Sequence, residues 1–155
     1  MPDESLDAAV EALARRAVAD VSPAELPIFA ATAARYRADP QGTTAPPTPK
    51  VLGFGVETAV VLVTPYALEL VKRLFSRLSE KLGDSAADSI AGRITAWFGH
   101  KPEAAAEEKE PEPLTAEQLA LIAETTRTEA ASLTLAPAES ERLADAIVAA
   151  LATRT

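Results

Sequence analysis

The sequence predicts an all-α fold: a helical bundle core with an N-terminal helix pair and a C-terminal αα-hairpin on a flexible acidic linker. Three observations point there. Alanine supplies 34 of the 155 residues, and good helix formers outnumber the β-branched ones. Apolar residues recur at i, i+3, i+4 and i+7 over most of the chain, the spacing of one helix face. Prolines concentrate in two stretches, 39–50 and 100–113, which part the chain into an N-terminal pair (1–38), a central apolar region (51–99) and a C-terminal hairpin (114–155).

Taken in order, Leu6, Ala9, Val10, Leu13, Ala17 and Val21 define a first helix over 5–20. Ser22-Pro23-Ala24-Glu25 reads as its successor's start, with an N-cap, a proline at the first helical position and a glutamate three residues after the cap. A second helix is therefore expected near 23–38. Pro27 inside it removes a hydrogen bond, so the helix starts late or kinks there. DPQGTTAPPTP at 39–49 is a linker, since no regular element tolerates four prolines and a glycine.

The central run VLGFGVETAVVLVTPYALELVKRLFSRLSEKL, 51–82, is the most apolar part of the chain. Pro65 is expected to kink its helix or divide it in two. Beyond Pro65 the pattern is sharply amphipathic, with Ala67, Leu68, Leu70, Val71, Leu74, Phe75, Leu78 and Leu82 on one face. Glu69, Lys72, Arg73, Arg77, Glu80 and Lys81 take the other. Gly83 ends this helix, Asp84 or Ser85 starts the next, and Ala87, Ile90, Ala91, Ile94, Trp97 and Phe98 form its stripe. Thr115-Ala116-Glu117-Gln118 is a capping box for a helix bearing Leu119, Ile122, Ala123, Ala130 and Leu133. Pro137 opens the last helix, with Leu143, Ala144, Ile147, Ala150 and Leu151 inward.

Charge narrows the function. The net of −8 lies almost wholly in residues 102–155, which hold eleven acidic and four basic side chains. Nucleic acid is disfavoured as a partner, because phosphate contacts need clustered Lys and Arg. The absence of cysteine removes disulfides, thiolate metal sites and thiol catalysis, and suits a reducing, cytoplasmic compartment. No basic segment followed by an apolar one opens the chain, so a cleaved export signal is not expected. Ten Arg against five Lys, with no Asn, is the usage of a GC-rich bacterial genome.

No motif carries chemistry. Gly53 and Gly55 flank Phe54 without the third glycine or lysine of a phosphate loop. His100, the one histidine, follows a helix-ending glycine, where an imidazole complements the helix dipole and has no nucleophile beside it. HExxH, EF-hand and Cys/His spacings are missing, so no metal or cofactor is expected, and no small-molecule substrate is identified. Glu57 and Glu69 sit in apolar surroundings, but twelve residues apart across Pro65 they need not share a face. A spanning helix is disfavoured as well: Val51–Val71 contains both glutamates, and its uncharged stretch is shorter than a bilayer requires.

LPIFAATAARYRADP followed by LGFGVETAVVLVTPYALELV resembles segments of a group of small helical proteins of high-GC bacteria to which no activity is assigned. The resemblance covers most of the chain. It implies a recurring helical module and transfers no functional residue.

The expected function is a non-enzymatic protein–protein interaction or adaptor module of a bacterial system, binding a protein partner or its own copy. The candidate interaction face is Phe54, Leu68, Val71, Leu74, Phe75, Leu78, Trp97 and Phe98. The alternative is a membrane-associated effector or anchor, peripheral at the bilayer, in which the amphipathic region 54–98 lies on a lipid surface. Whether the stripe is buried core or binding surface stays open at the level of sequence, since amphipathic helices with charged outer faces also pack in cores.

Overall fold

In the computed structural model, residues 2–39, 62–98, 114–133 and 135–152 are described, with backbone alone at 2–6, 96 and 98. They form six α-helices and a 3-10 helix: α1 (Pro2–Val21), the 3-10 helix (Pro23–Ile28), α2 (Phe29–Ala38), α3 (Thr64–Leu82), α4 (Asp84–Phe98), α5 (Ala116–Ala131) and α6 (Pro137–Ala152). The all-α expectation holds. Phe54, Glu57, both flanking glycines, His100 and most of the two linkers lie outside the described residues.

Helix α1 carries Ala9, Val10, Leu13, Ala14, Ala17 and Val18 on its buried face. It packs against α3, α4, α6 and the 3-10 helix. Five alanines and valines on this face allow neighbouring backbones to approach, which is the use of small residues where several helices meet. Helix α3 contacts α1, α2, α4 and α5, while α5 and α6 pair as the expected hairpin. The hairpin docks through α6 on α1 and through α5 on α3. One buried cluster therefore draws on all three helical segments, with Leu13, Leu70, Phe75, Leu78, Ile90, Ile94, Ile122, Leu143, Ile147 and Leu151 among its members. Each fully buried side chain of that size contributes about 1.5–3 kcal/mol through removal from water.

Two helix starts are set by prolines. Residues 23–28 are 3-10 and the α-helix begins at Phe29, the late start expected from Pro27. Pro23 and Pro27 explain this: Pro27 has no N–H for the i−4 carbonyl and its ring crowds that carbonyl. Ser22 does not cap with its side chain. Its carbonyl accepts the Glu25 N–H at 3.0 Å, which leaves the Glu25 carboxylate free for another helix. Pro65 stands in the first turn of α3, where its missing N–H has no intrahelical partner to lose; residues 51–61, on which the expected kink or division turns, lie outside the described residues.

The other signals act as read. Gly83 caps α3 at φ +96°, a conformation that penalises any Cβ, and the Gly83 N–H bonds to Ser79 at 2.9 Å. The Gly83 carbonyl then accepts the Ala87 N–H at 3.1 Å, so a single glycine ends α3 and begins α4. Thr115 and Gln118 make the reciprocal capping box, both bonds at 3.0 Å. Pro137 opens α6.

The N-terminus of α3 is completed from elsewhere. Its N-cap is Val63, whose side chain has no oxygen. Glu25, 7% exposed, accepts from the Val63 N–H at 2.8 Å, the Thr64 N–H at 2.9 Å and the Thr64 hydroxyl at 2.7 Å. A carboxylate at this position satisfies orphan donors and the positive end of the helix dipole together. Glu25→Ala leaves those donors buried without an acceptor and is expected to lower stability by about 2–3 kcal/mol. Glu25→Gln, which keeps one acceptor, costs less; urea unfolding followed by circular dichroism at 222 nm measures both.

Candidate functional site

Helix α3 is the place to look, because it holds five of the eight sequence-assigned interaction residues. Leu68, Val71, Leu74, Phe75 and Leu78 are all 2% exposed or less. They are core, and in this fold they present no free surface. The physical reason is that α3 sits in the middle of the bundle with helices on several sides, so its apolar stripe is consumed by packing. Trp97 is partly buried against the same core. Phe54 and the Phe98 side chain fall outside the described residues. Among described large apolar residues, Ile28 at 45% and Leu82 at 40% are the exposed ones. Leu82, on the apolar face by spacing, stands in the last turn of α3 and is exposed there.

The outward edge of α3 carries a run of interhelical clamps. The Tyr36 hydroxyl of α2 donates to Glu69 Oε1, and Arg73 Nε donates to Glu69 Oε2 at 2.8 Å. Arg73 Nη1 reaches Ser132 Oγ at 3.0 Å, which carries the network to the end of α5. Lys72 Nζ lies 5.9 Å from the centre of the Tyr36 ring, within cation–π range. One turn on, Arg77 Nε donates to Glu129 of α5 at 2.9 Å and Nη1 to Glu80 at 3.1 Å. Arg93 of α4 touches Gln118 at 3.3 Å, tying α4 to the capping box of α5. Elsewhere Arg37 of α2 pairs with Glu11 of α1, and Arg15 lies over the Phe29 ring at 5.4 Å.

The sequence singles out Glu69 for its apolar setting, and the structure pairs it with Arg73 one turn on, at i, i+4. The Tyr36 bond was missed, because nothing in the spacing of residues 36 and 69 declares a contact. Burial pushes the Glu69 carboxyl up, but the bonds from Tyr36 and Arg73, with the nearby charges of Arg73 and Lys72, outweigh it and hold the group below its ordinary value of 4.5. Burial, then the bond to Glu69 and its negative charge, push the Tyr36 phenol far above 10.0. A phenol held protonated is a hydrogen-bond donor and a poor nucleophile. The arrangement binds helices together; it does not present an activated group.

Two buried hydroxyls, on Thr125 and Thr126 of α5, have no hydrogen-bond partner among the described residues. They face packed core, and the structure shows no chemistry that would use them. Among the described residues no group of three or more His, Asp or Glu is placed to hold a metal ion, and no helix is long and apolar enough to cross a membrane. Comparison with family models, with curated proteins and with solved structures returned no match to this chain.

Packing and exposure separate the residues of α3 in a measurable way. Leu74→Ala is expected to cost about 2–5 kcal/mol, since it empties a fully packed site. Leu82→Ala, at an exposed position, is expected to stay within about 0.5 kcal/mol of wild type by the same denaturation.

The clamp has a pH signature. Because the folded Glu69 value is lowered, its contribution is complete above 4.5 and fades as pH falls below it. Because the folded Tyr36 value is raised, its contribution is complete below 10.0 and fades above it. Tyr36→Phe should therefore flatten both the acid and the alkaline limbs of the stability profile; equal limbs in variant and wild type would contradict the clamp.

Proposed function

We propose that this chain is a non-enzymatic helical interaction module, a scaffold that binds a protein partner by helix packing. The observation that carries this reading is the use made of the polar edge of α3. Glu69, Arg73 and Arg77 are each spent on a neighbouring helix, so the central helix works as a framework around which other helices are held. The uneven charge supports a directional surface as well: α6 and the residues before it are acidic, which favours a basic partner by steering. A cysteine-free, alanine-rich chain suits a reducing bacterial interior.

One observation favours the membrane-associated alternative. Lys72, Arg73, Arg77 and Lys81 give the polar side of α3 four cations, as an interfacial helix on anionic lipid has. Against it, two of those arginines are already paired with carboxylates, and the apolar stripe they would lay on a bilayer is packed inside the bundle.

The two readings part under site-specific photocrosslinking in the host cell. Benzoylphenylalanine at Ile28, Leu82 or Trp97 is expected to give a discrete protein adduct, with Asp145 on the outer side of α6 as the control. No adduct at any of them, combined with co-flotation of the pure protein on anionic liposomes, would replace the interaction module with the membrane reading.

A further inference from the structure

We infer that the 3-10 helix and α2, residues 23–39, form a latch over the N-terminal half of α3, which opens as a unit while the rest of the bundle stays closed. The inference uses the interaction reading for its consequence, access to the face of α3, but the opening itself stands on packing alone.

The latch is the least anchored part of the fold. The latch meets the body of the bundle through the 3-10 helix on α1 and through α2 on α3, with Arg15 of α1 over the Phe29 ring. Helix α2, ten residues long, has α3 as its one extended contact in the body of the bundle among the described residues, whereas α1 packs on α3, α4 and α6, and α5 on α3 and α6. The apolar part of the latch is small. Phe29, Ala33 and Tyr36 are its buried apolar residues in α2, whereas Ala30, Ala31, Ala34 and Ala38 face solvent. Segments with few buried apolar contacts open at lower free energy than the core they rest on.

What holds the latch down is mostly polar. Glu25 grips the Val63 and Thr64 amides, Tyr36 donates to Glu69, and Arg37 pairs with Glu11 across a half-exposed contact. Opening as a unit exchanges these bonds for bonds to water and leaves no donor buried without an acceptor, so it costs less than deleting one partner in the closed fold. Glu69 and Lys72 mark the face of α3 that meets Tyr36. Pro65 and Leu68 share that face by helical spacing, and both are buried. Opening thus uncovers a short apolar strip flanked by a carboxylate, an ammonium and the unpaired N-terminal amides of α3. The occupant that fits it is an amphipathic helix of the latch's own chemistry: an aromatic and small apolar stripe with an acidic residue aimed at the start of α3. The latch occupies the site in cis and would compete with such a helix.

Amide exchange on the full chain, read residue by residue by NMR at neutral pH, tests this. Val63 and Thr64 are the reporters, because their acceptor is Glu25 itself. We expect these two amides and those of α2 to exchange at a common opening rate, at least about tenfold faster than Leu143–Ile147 in α6. Tyr36→Phe should speed the latch amides and the two reporters together and leave α6 unchanged; Glu25→Gln should do the same more strongly. Should Glu25→Gln unfold the protein, Tyr36→Phe alone decides. Exchange of the latch at the α6 rate would overturn the proposal, as would fraying of α2 with Val63 and Thr64 still protected. Absence of a crosslinked partner would sink the interaction reading and leave the opening intact, so the two can fail separately.

Discussion

The structure depends on a carboxylate doing for one helix what that helix cannot do for itself. Helix α3 begins at Val63-Thr64-Pro65, a sequence with no side-chain oxygen at its N-cap. It nevertheless begins inside the protein, where Val63 is 6% exposed and Thr64 fully buried. Buried amides without acceptors are costly, and helix starts concentrate them. Glu25 meets that need from a 3-10 turn 38 residues earlier in the chain. Its position follows from Pro23 and Pro27, which stop the segment from becoming α-helix before Phe29 and so turn residue 25 toward α3 and not along its own axis. A local constraint on backbone geometry is thereby converted into a long-range tie.

Around that tie the rest is ordinary helix packing. Small residues of α1 let three helices close on it, and the aliphatic stripe of α3 fills the centre. The clamps on the outer edge of α3 add specificity of register more than energy. Arg77 and its partner Glu80 are half-exposed or more, and pairs of that kind contribute little net stability. The Tyr36–Glu69–Arg73 set is better shielded and links three elements at once, so it fixes how α2 lies on α3 and how the α5–α6 turn approaches.

Much of the fold was legible from sequence for physical reasons that can be named. The spacing of Leu70, Leu74 and Leu78, the capping box at Thr115, the stop at Gly83 and the start at Pro137 are local signals, and local backbone chemistry obeys them. Ser22 was misread because the same residue suits two outcomes: a serine before a proline can cap with its side chain or only turn. The choice depends on what lies across the chain. Glu25 illustrates the limit most sharply, since sequence placed it in its own helix's capping box while the fold sends its carboxylate to α3. The candidate interaction face met the same limit. An apolar stripe looks alike whether it meets helices of its own chain or of another, and here Leu68, Val71, Leu74, Phe75 and Leu78 meet their own.

The central claim is that Glu25 and the start of α3 act as one unit. A double-mutant cycle on Glu25→Ala and Thr64→Ala, with stability taken from urea unfolding of each single and the double variant, tests it most directly. A coupling of about 1 kcal/mol or more between positions 39 residues apart in sequence is the predicted result, as for groups that share a buried hydrogen-bond network. Strict additivity would mean that the carboxylate and the helix start do not support each other, and would contradict the account.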